Sequence, residues 1–243
     1  MLAFHNNPEL KEKYIKRVKA HYDADEIIQG ACWENGKGGA IDCTMEIDDD
    51  DVSVHEEMEK ALGIPRSLVY LEDRLFKGLK NKEAKIFPLR FLDAIKVGSD
   101  LSLISPKFVF WLLTEKEGLI KYASPERKRA IKQVARLFKK LISGKTVTTE
   151  EWLAAVAGAE AKLAELSAEE ASGGRWLVSR AATSAAEWFG EKEADSERLF
   201  IRKAAGAETS NEEYQEKIVK RYAAYKKMAD RLIELLEEEV TKN

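Results

Sequence analysis

Residues 124–144 read SPERKRAIKQVARLFKKLISG and carry the clearest helical pattern of the chain. Ser124 and Pro125 are typical of a helix start, because serine caps free backbone N–H groups and proline is tolerated in the first turn. The apolar residues that follow at helical spacing are Ile131, Val134, Phe138, Leu141 and Ile142. The stretch therefore predicts an α-helix with one buried face that ends at Gly144.

The same start and stop signals recur along most of the chain. Asn7 and Pro8 begin one helix, Pro65 begins another, and glycines such as Gly63 end them. Between these signals the apolar residues keep a helical period. We therefore predict an all-α fold, a multi-helix bundle of about eight helices.

The composition changes near Thr148, where alanine becomes frequent. Apolar residues after this point alternate spacings of four and three, as they do in a coiled-coil seam. They are Trp152, Val156, Ala159, Leu163 and Leu166, and then Ile218, Tyr222, Tyr225, Ala229, Leu232 and Leu236. The sequence predicts a helical N-terminal domain over residues 1–146 and an alanine-rich helical bundle or coiled-coil-like region over 147–243.

One segment departs from the helical pattern. Ile41, Cys43, Met45 and Ile47 alternate with polar residues, which is the period of a half-buried strand. The glycines at 36, 38 and 39 supply the positive φ angles that a tight turn needs. We therefore expect a small β-hairpin within residues 31–47.

The turn of this expected hairpin is the best candidate for a binding site. It brings together an aromatic ring, a carboxylate, a carboxamide, an ammonium group and free backbone amides. The residues predicted to bind a ligand or partner are Trp33, Glu34, Asn35, Gly36, Lys37 and Gly38. Glycine N–H groups beside a lysine can bind an anion, but the spacing of a nucleotide-binding P-loop is absent.

Cys32 suggests a second, catalytic interpretation of the segment. The residues before it superficially resemble the approach to the nucleophile of papain-like enzymes, which predicts a Cys32-dependent hydrolase or transferase. However, no histidine follows His55. Cys32 and Cys43 also lack the close spacing of zinc ligands. We therefore expect no catalytic residues, no metal and no cofactor.

Residues 53–74 resemble a helix-turn-helix, with Gly63 at the turn. This hypothesis predicts a DNA-binding regulator. Its recognition helix would carry Arg66, Ser67, Tyr70 and Arg74. The acidic residues before Gly63 would repel phosphates, so we favour an ordinary pair of helices and regard nucleic acid as a less favoured partner.

The charge and the hydropathy of the sequence predict where the protein is located and which classes of partner it binds. The formal net charge is −3, so the chain as a whole has no strong field for a polyanion. The longest apolar run, Phe108 to Leu113, is far short of the roughly 20 residues that cross a bilayer. Two cysteines and no secretion signal favour a cytoplasmic location. No membrane partner is expected, and the C-terminal helices are the candidate surface for homo-oligomerisation.

Four stretches of the sequence resemble a family of uncharacterised bacterial and bacteriophage-encoded proteins with an alanine-rich helical C-terminal region. They are Trp33-Glu34-Asn35-Gly36-Lys37-Gly38, Leu62-Gly63-Ile64-Pro65 with Leu71-Glu72-Asp73-Arg74, Trp111-Leu112-Leu113, and Met228 to Leu236. The resemblance implies a helical protein of a phage or prophage, acting in the host cytoplasm. It implies no activity, substrate or catalytic residue, and Gly39 stands where relatives are expected to carry a cysteine.

Together these observations favour a non-enzymatic binding protein, a phage or prophage accessory factor. Its partner would be a host or phage protein, for example in counter-defence, or a small anionic ligand. The helix-turn-helix regulator and the Cys32 enzyme are the alternatives.

Overall fold

A computed structural model describes residues 1–31, 33–47, 53–116, 120, 125–164 and 214–239. Its α-helices are α1 Pro8–Asp23, α2 Ala40–Met45, α3 Val54–Leu62, α4 Arg66–Gly78, α5 Asn81–Ala94, α6 Ile104–Thr114, α7 Pro125–Ile142, α8 Thr149–Ala164 and α9 Tyr214–Glu238. Two short 3₁₀ segments, Ala3–Asn6 and Leu101–Leu103, precede α1 and α6. These described residues contain no strand, and the all-α prediction is confirmed.

The predicted β-hairpin over 31–47 is wrong, because its second strand is the helix α2. Five of the six residues of α2 are buried, so burial does not alternate along it. The sixth, Asp42, accepts a hydrogen bond at 2.8 Å from the N–H of Gly39 at the helix start. A carboxylate at this third helical position caps the N-terminus and favours a helix over a strand. What remains of the hairpin is its turn, at residues 34–37.

The chain forms two compact units. The first comprises Met1–Ser105 together with Lys226–Asn243, and the second comprises Pro106–Tyr225. The domain boundary predicted after residue 146 lies within the second unit. The first unit is therefore built from two separate stretches of the chain.

The core of the first unit surrounds α2. This short helix packs against α1, α3, α4 and α5, and α1 also packs against α5. Fully buried aromatic side chains of α4 and α5 fill much of this core, at Phe76, Phe87 and Phe91. Burial of several such side chains stabilises the unit, at roughly 1.5–3 kcal/mol for each.

Residues 226–239 complete this unit. Leu232 and Leu236 are fully buried, and the guanidinium of Arg90 lies 3.1 Å from the carboxylate of Asp230. The ammonium group of Lys96 donates to the carbonyl oxygens of Glu237 and Glu239, at 2.7 and 2.8 Å. A cation placed on these last carbonyls stabilises the C-terminus of α9.

The N-terminal segment is also fixed to the first unit. Phe4, His5 and Asn6 have φ angles of 52°, 50° and 58°, which are rare for residues with side chains. Fully buried Phe4 holds this left-handed turn in place. Hydrogen bonds from Ala3 N to Ser99 O and from Gly98 N to Ala3 O, both 2.9 Å long, also hold it.

The second unit contains the helix predicted from residues 124–144, and its bounds confirm that prediction. Ile131, Val134 and Phe138 are buried, and Leu141 and Ile142 are partly buried. α7 packs against α8, where Phe138 meets Trp152 edge to face with ring centroids 5.1 Å apart. In the described part of the chain, no helix is long and apolar enough to cross a membrane.

Among the described glycines, Gly63, between α3 and α4, has the tightest surroundings. Its φ is +63°, and a Cβ there would lie 2.3 Å from the carbonyl oxygen of Leu2. We predict that Gly63→Ala lowers the free energy of unfolding by about 3 kcal/mol, because strain at a positive φ adds to a backbone clash. Urea denaturation measures this change.

Gly30 is the matched control, because its φ is +80° and a Cβ would meet no atom within 4 Å. Gly30→Ala should cost only about 1 kcal/mol, from the φ angle alone. Equal losses in the two variants would contradict a close contact between Gly63 and the N-terminal segment.

Candidate recognition site

A tight turn at residues 34–37 forms the tip of the loop between α1 and α2. Glu34 N donates to Lys37 O at 2.8 Å, and Lys37 N donates to Glu34 O at 3.0 Å. Asn35 and Gly36 have φ angles of 52° and 78°, the positive values of a type I′ turn. The Asn-Gly pair therefore forms the tight turn that the sequence predicts, without flanking strands.

Backbone contacts hold the base of this turn. Ile28 N donates to Gly38 O at 2.7 Å, and Gly38 N donates to Glu26 O at 3.2 Å. A Cβ on Gly38 would lie 2.7 Å from the Cβ of Asp42 and 3.2 Å from the Cα of Trp33. Glycine at 38 is therefore required for the loop to lie this close to α2.

Trp33 anchors the loop to α1. Its ring meets the imidazole of His21 edge to face, with centroids 5.6 Å apart. The His21 side chain is itself held by two carboxylates: Nδ1 lies 2.7 Å from Glu26 Oε2, and Nε2 lies 3.0 Å from Glu46 Oε1. The aromatic residue of the loop thus rests on a side chain whose orientation is fixed by two carboxylates.

Arg17 extends this network to the end of α2. Its Nε lies 2.9 Å from Glu46 Oε2, and its Nη1 donates to the carbonyl oxygens of Thr44 and Met45 at 2.9 and 3.1 Å. A cation at a helix C-terminus satisfies carbonyls that have no partner within the helix. Gln29 fixes the other side of the loop, because its Nε2 donates to Phe76 O and Leu79 O at 2.7 and 2.9 Å.

The predicted binding residues lie together and differ in exposure. Glu34, Asn35 and Lys37 are exposed, Trp33 and Gly36 are partly exposed, and Gly38 is buried. Ile28 is 39% exposed, which is unusual for a large apolar residue among those that the structure describes. Ile28 is hydrogen-bonded to Gly38, so an apolar side chain flanks the polar turn. We call residues 33–38, with Ile28, the recognition loop surface.

Of the two cysteines, the structure describes Cys43 alone. Cys32 lies outside the described residues, so the hypothesis of a catalytic Cys32 stays a prediction. Cys43 is buried in α2, and burial raises the pKa of its thiol to about 12, although a hydrogen bond with Gly38 opposes the shift. A thiol with this pKa stays protonated at neutral pH and is not a nucleophile. Among the described residues, no group of three or more His, Cys, Asp or Glu side chains could hold a metal ion.

Three of the four residues predicted to contact DNA have contacts within the protein. Arg66 Nε lies 3.2 Å from Glu59 Oε2, and Arg66 Nη2 lies 3.5 Å from Glu56 Oε2. Ser67 Oγ lies 3.2 Å from Ser105 Oγ, and Tyr70 stacks on His55 with centroids 4.2 Å apart. Arg74 is half-buried, and its Nε has no hydrogen-bond partner in the described part of the chain.

A buried acidic pair on α4 was not predicted from the sequence. Burial alone would raise the pKa of Asp73, but His55 at 3.6 Å and the ammonium group of Lys77 at 2.7 Å lower it overall. Glu72 is 2% exposed, and neither carboxylate oxygen has a hydrogen-bond partner among the described residues. Burial, and then repulsion from Asp73 and Asp42, raise the pKa of Glu72 well above its usual value, against a smaller effect of Lys77.

Comparison of the chain with family models, with curated proteins and with solved structures found no match.

Glu72 should make stability depend on pH. Because its pKa is raised on folding, the stability it contributes is fully present below about pH 4, the pKa in the unfolded chain, and is lost as the pH rises toward the folded value. We predict that Glu72→Gln, which cannot ionise, is more stable than the parent by about 2 kcal/mol at pH 8.

Urea denaturation of both proteins at pH 4 and pH 8 tests this prediction. At pH 4 the two should differ little, because Glu72 is protonated in the folded chain and only about half ionised in the unfolded chain. An advantage of the variant that does not grow between pH 4 and pH 8 would contradict a buried, unpaired carboxyl group.

Proposed function

We propose that this chain is a non-enzymatic binding protein, an accessory factor of a phage or prophage that engages a host protein through the recognition loop surface. The observation that carries the proposal is a turn of fixed shape that presents exposed polar side chains beside an aromatic ring. The loop is tied to α1 through Trp33 and to α4 through Gln29. A loop that is already ordered loses little conformational entropy when a partner binds.

The composition of the surface supports a protein partner. Tryptophan is enriched among the residues that dominate binding energy, and Trp33 lies in this surface. Ile28 adds exposed apolar area, and Glu34, Asn35 and Lys37 supply polar groups at the rim. An apolar centre with a polar rim is the usual arrangement of a protein interface. A small anionic ligand would instead use mainly Lys37 and the backbone amides.

We predict that removing the chemistry of this loop abolishes partner binding and leaves the fold intact. Trp33→Ala with Lys37→Ala removes the aromatic anchor and the cation, and Lys37→Glu reverses the charge while Trp33 keeps its contact with His21. With the purified protein as bait in a lysate of the bacterial host, quantitative mass spectrometry should recover the partner with the parent protein. Recovery should fall at least tenfold with either variant.

Lys82→Glu is the matched control, because Lys82 is an exposed lysine on α5. It makes the same charge change as Lys37→Glu and should retain the partner. Circular dichroism should show the same helix content in all variants. The same recovery by Lys37→Glu and by the parent protein would refute the assignment of this surface.

A second candidate is a DNA-binding regulator built on residues 53–74. It is favoured by the way α3 and α4 are joined, through only Gly63, Ile64 and Pro65, with Gly63 at a φ of 63°. Arg66 would have to leave Glu56 and Glu59 to reach a phosphate. This candidate predicts that Arg66→Ala with Arg74→Ala abolishes a salt-sensitive mobility shift of duplex DNA.

A further inference from the structure

Helix α7 concentrates positive charge in the second unit. Its 18 residues include a single carboxylate, Glu126. Its basic residues are Arg127, Lys128, Arg129, Lys132, Arg136, Lys139 and Lys140. The formal net charge of the whole chain is −3, so this density is local.

The exposed residues of α7 form one stripe. Arg129, Lys132, Arg136 and Lys139 are exposed and recur every three or four residues, so they lie along the same face of the helix. The opposite face, with Val134 and Phe138, is buried. We call these four cations the basic stripe; it spans roughly 15 Å of helix.

The ion pairs around α7 leave most of this stripe available. Lys140, beside the stripe, is held by both carboxylate oxygens of Glu151, at 2.8 and 2.6 Å. Within the described part of the chain, no ion pair is formed by Lys132, Arg136 or Lys139. These three ammonium and guanidinium groups therefore face solvent.

The charge pattern opposes the stability of the helix. Lys128 and Lys132, Lys132 and Arg136, and Arg136 and Lys140 are like charges four residues apart, and each such pair destabilises a helix. Lys128 and Arg129 also lie near the N-terminus of the helix, where the macrodipole disfavours cations. Only Lys139 and Lys140, in the last turn, suit the dipole. Helix formation alone therefore does not account for the stripe.

The side chains exposed along the basic stripe fit some classes of anionic partner better than others. Membrane insertion needs a free apolar face, and that of α7 is buried. A protein interface needs apolar or aromatic anchors, which the exposed positions of the stripe lack. Single-stranded nucleic acid is held largely by stacking on aromatic side chains, which are also absent from these positions. The phosphates of a duplex need only cations at suitable spacing.

We infer that the basic stripe of α7 binds the phosphate backbone of duplex DNA without reading base sequence. This surface is separate in the chain from residues 33–38 and from residues 53–74, so the inference stands apart from both candidate functions. Each phosphate contact releases a counterion, and binding therefore weakens steeply with salt.

Fluorescence anisotropy of a labelled duplex of mixed sequence, titrated with the full chain at several NaCl concentrations, tests the inference. The key variant is Lys132→Gln with Arg136→Gln. Relative to the parent, the affinity at low salt should fall at least tenfold. The slope of log K against log salt should become shallower by about 2, because two phosphate contacts are lost. A duplex of different sequence should bind equally well.

Thermal unfolding provides a second readout that separates binding from folding. The variant removes repulsion on α7, so its melting temperature should equal or exceed that of the parent. A loss of binding together with an unchanged or higher melting temperature supports a functional stripe. A loss that accompanies a lower melting temperature would count against it.

Two further variants provide controls. Lys13→Gln with Lys82→Gln removes the same charge from exposed positions of α1 and α5 and should bind as the parent does. Arg66→Ala with Arg74→Ala distinguishes the stripe from the second candidate function, which requires this variant, and not the Lys132 and Arg136 variant, to abolish duplex binding. The inference is overturned if the parent binds no duplex at low salt, if the Lys13 and Lys82 variant weakens binding equally, or if only the Arg66 and Arg74 variant abolishes it.

Discussion

Burial of the short helix α2 is the constraint on which the first unit depends. A helix of six residues has little stability of its own, because helix nucleation is unfavourable and few hydrogen bonds form afterwards. α2 is maintained by the four helices packed around it and by groups at its ends: Asp42 binds the N–H of Gly39, and Arg17 binds the carbonyls of Thr44 and Met45. The same contacts position the loop before α2 and the network of Arg17, His21 and Glu46 at its C-terminal end. The shape of the recognition loop surface therefore depends on the packing of the core.

The first unit contains two different arrangements of buried polar and ionisable side chains. Around His21, each ring nitrogen lies beside a carboxylate and Glu46 also pairs with Arg17, so these partly buried polar groups all have partners. Glu72 lies on α4 with no such partner in the described residues. The first arrangement fixes orientation at little cost, whereas the second costs stability whenever the carboxyl group ionises. Asp73, next to Glu72, is stabilised in its charged form by His55 and Lys77, so two neighbouring acids have opposite shifts in pKa.

Much of the helical architecture could be predicted from local signals, but the contacts of the site could not. The start of α7 at Pro125 and the turn at Asn35-Gly36 follow from backbone preferences, which residues carry wherever they occur. The sequence of α2 predicted a strand because five of its six residues are buried. When both faces of an element are covered, alternation of apolar residues over a few positions does not distinguish the period of a strand from that of a helix. His21 and Glu46 are 25 residues apart, and nothing local links them. Glu72 did have a signal, because it lies four residues from Leu68 and from Phe76 on the apolar face of α4, where a charged residue is unexpected.

The division of the first unit between two stretches of the chain bears on its synthesis. The residues of α9 that cap its core, including Leu232 and Leu236, follow Pro106–Tyr225 and so leave the ribosome after the whole second unit. Until then the nascent chain exposes the apolar surface that these leucines later cover, as well as the Lys96 ammonium group that binds the end of α9. Domains generally fold as units during translation, in order from the N-terminus. In this chain the order is reversed, because the first unit is synthesised first and completed last. The second unit, which lies between the two stretches of the first unit in the sequence, can fold before the first unit is complete.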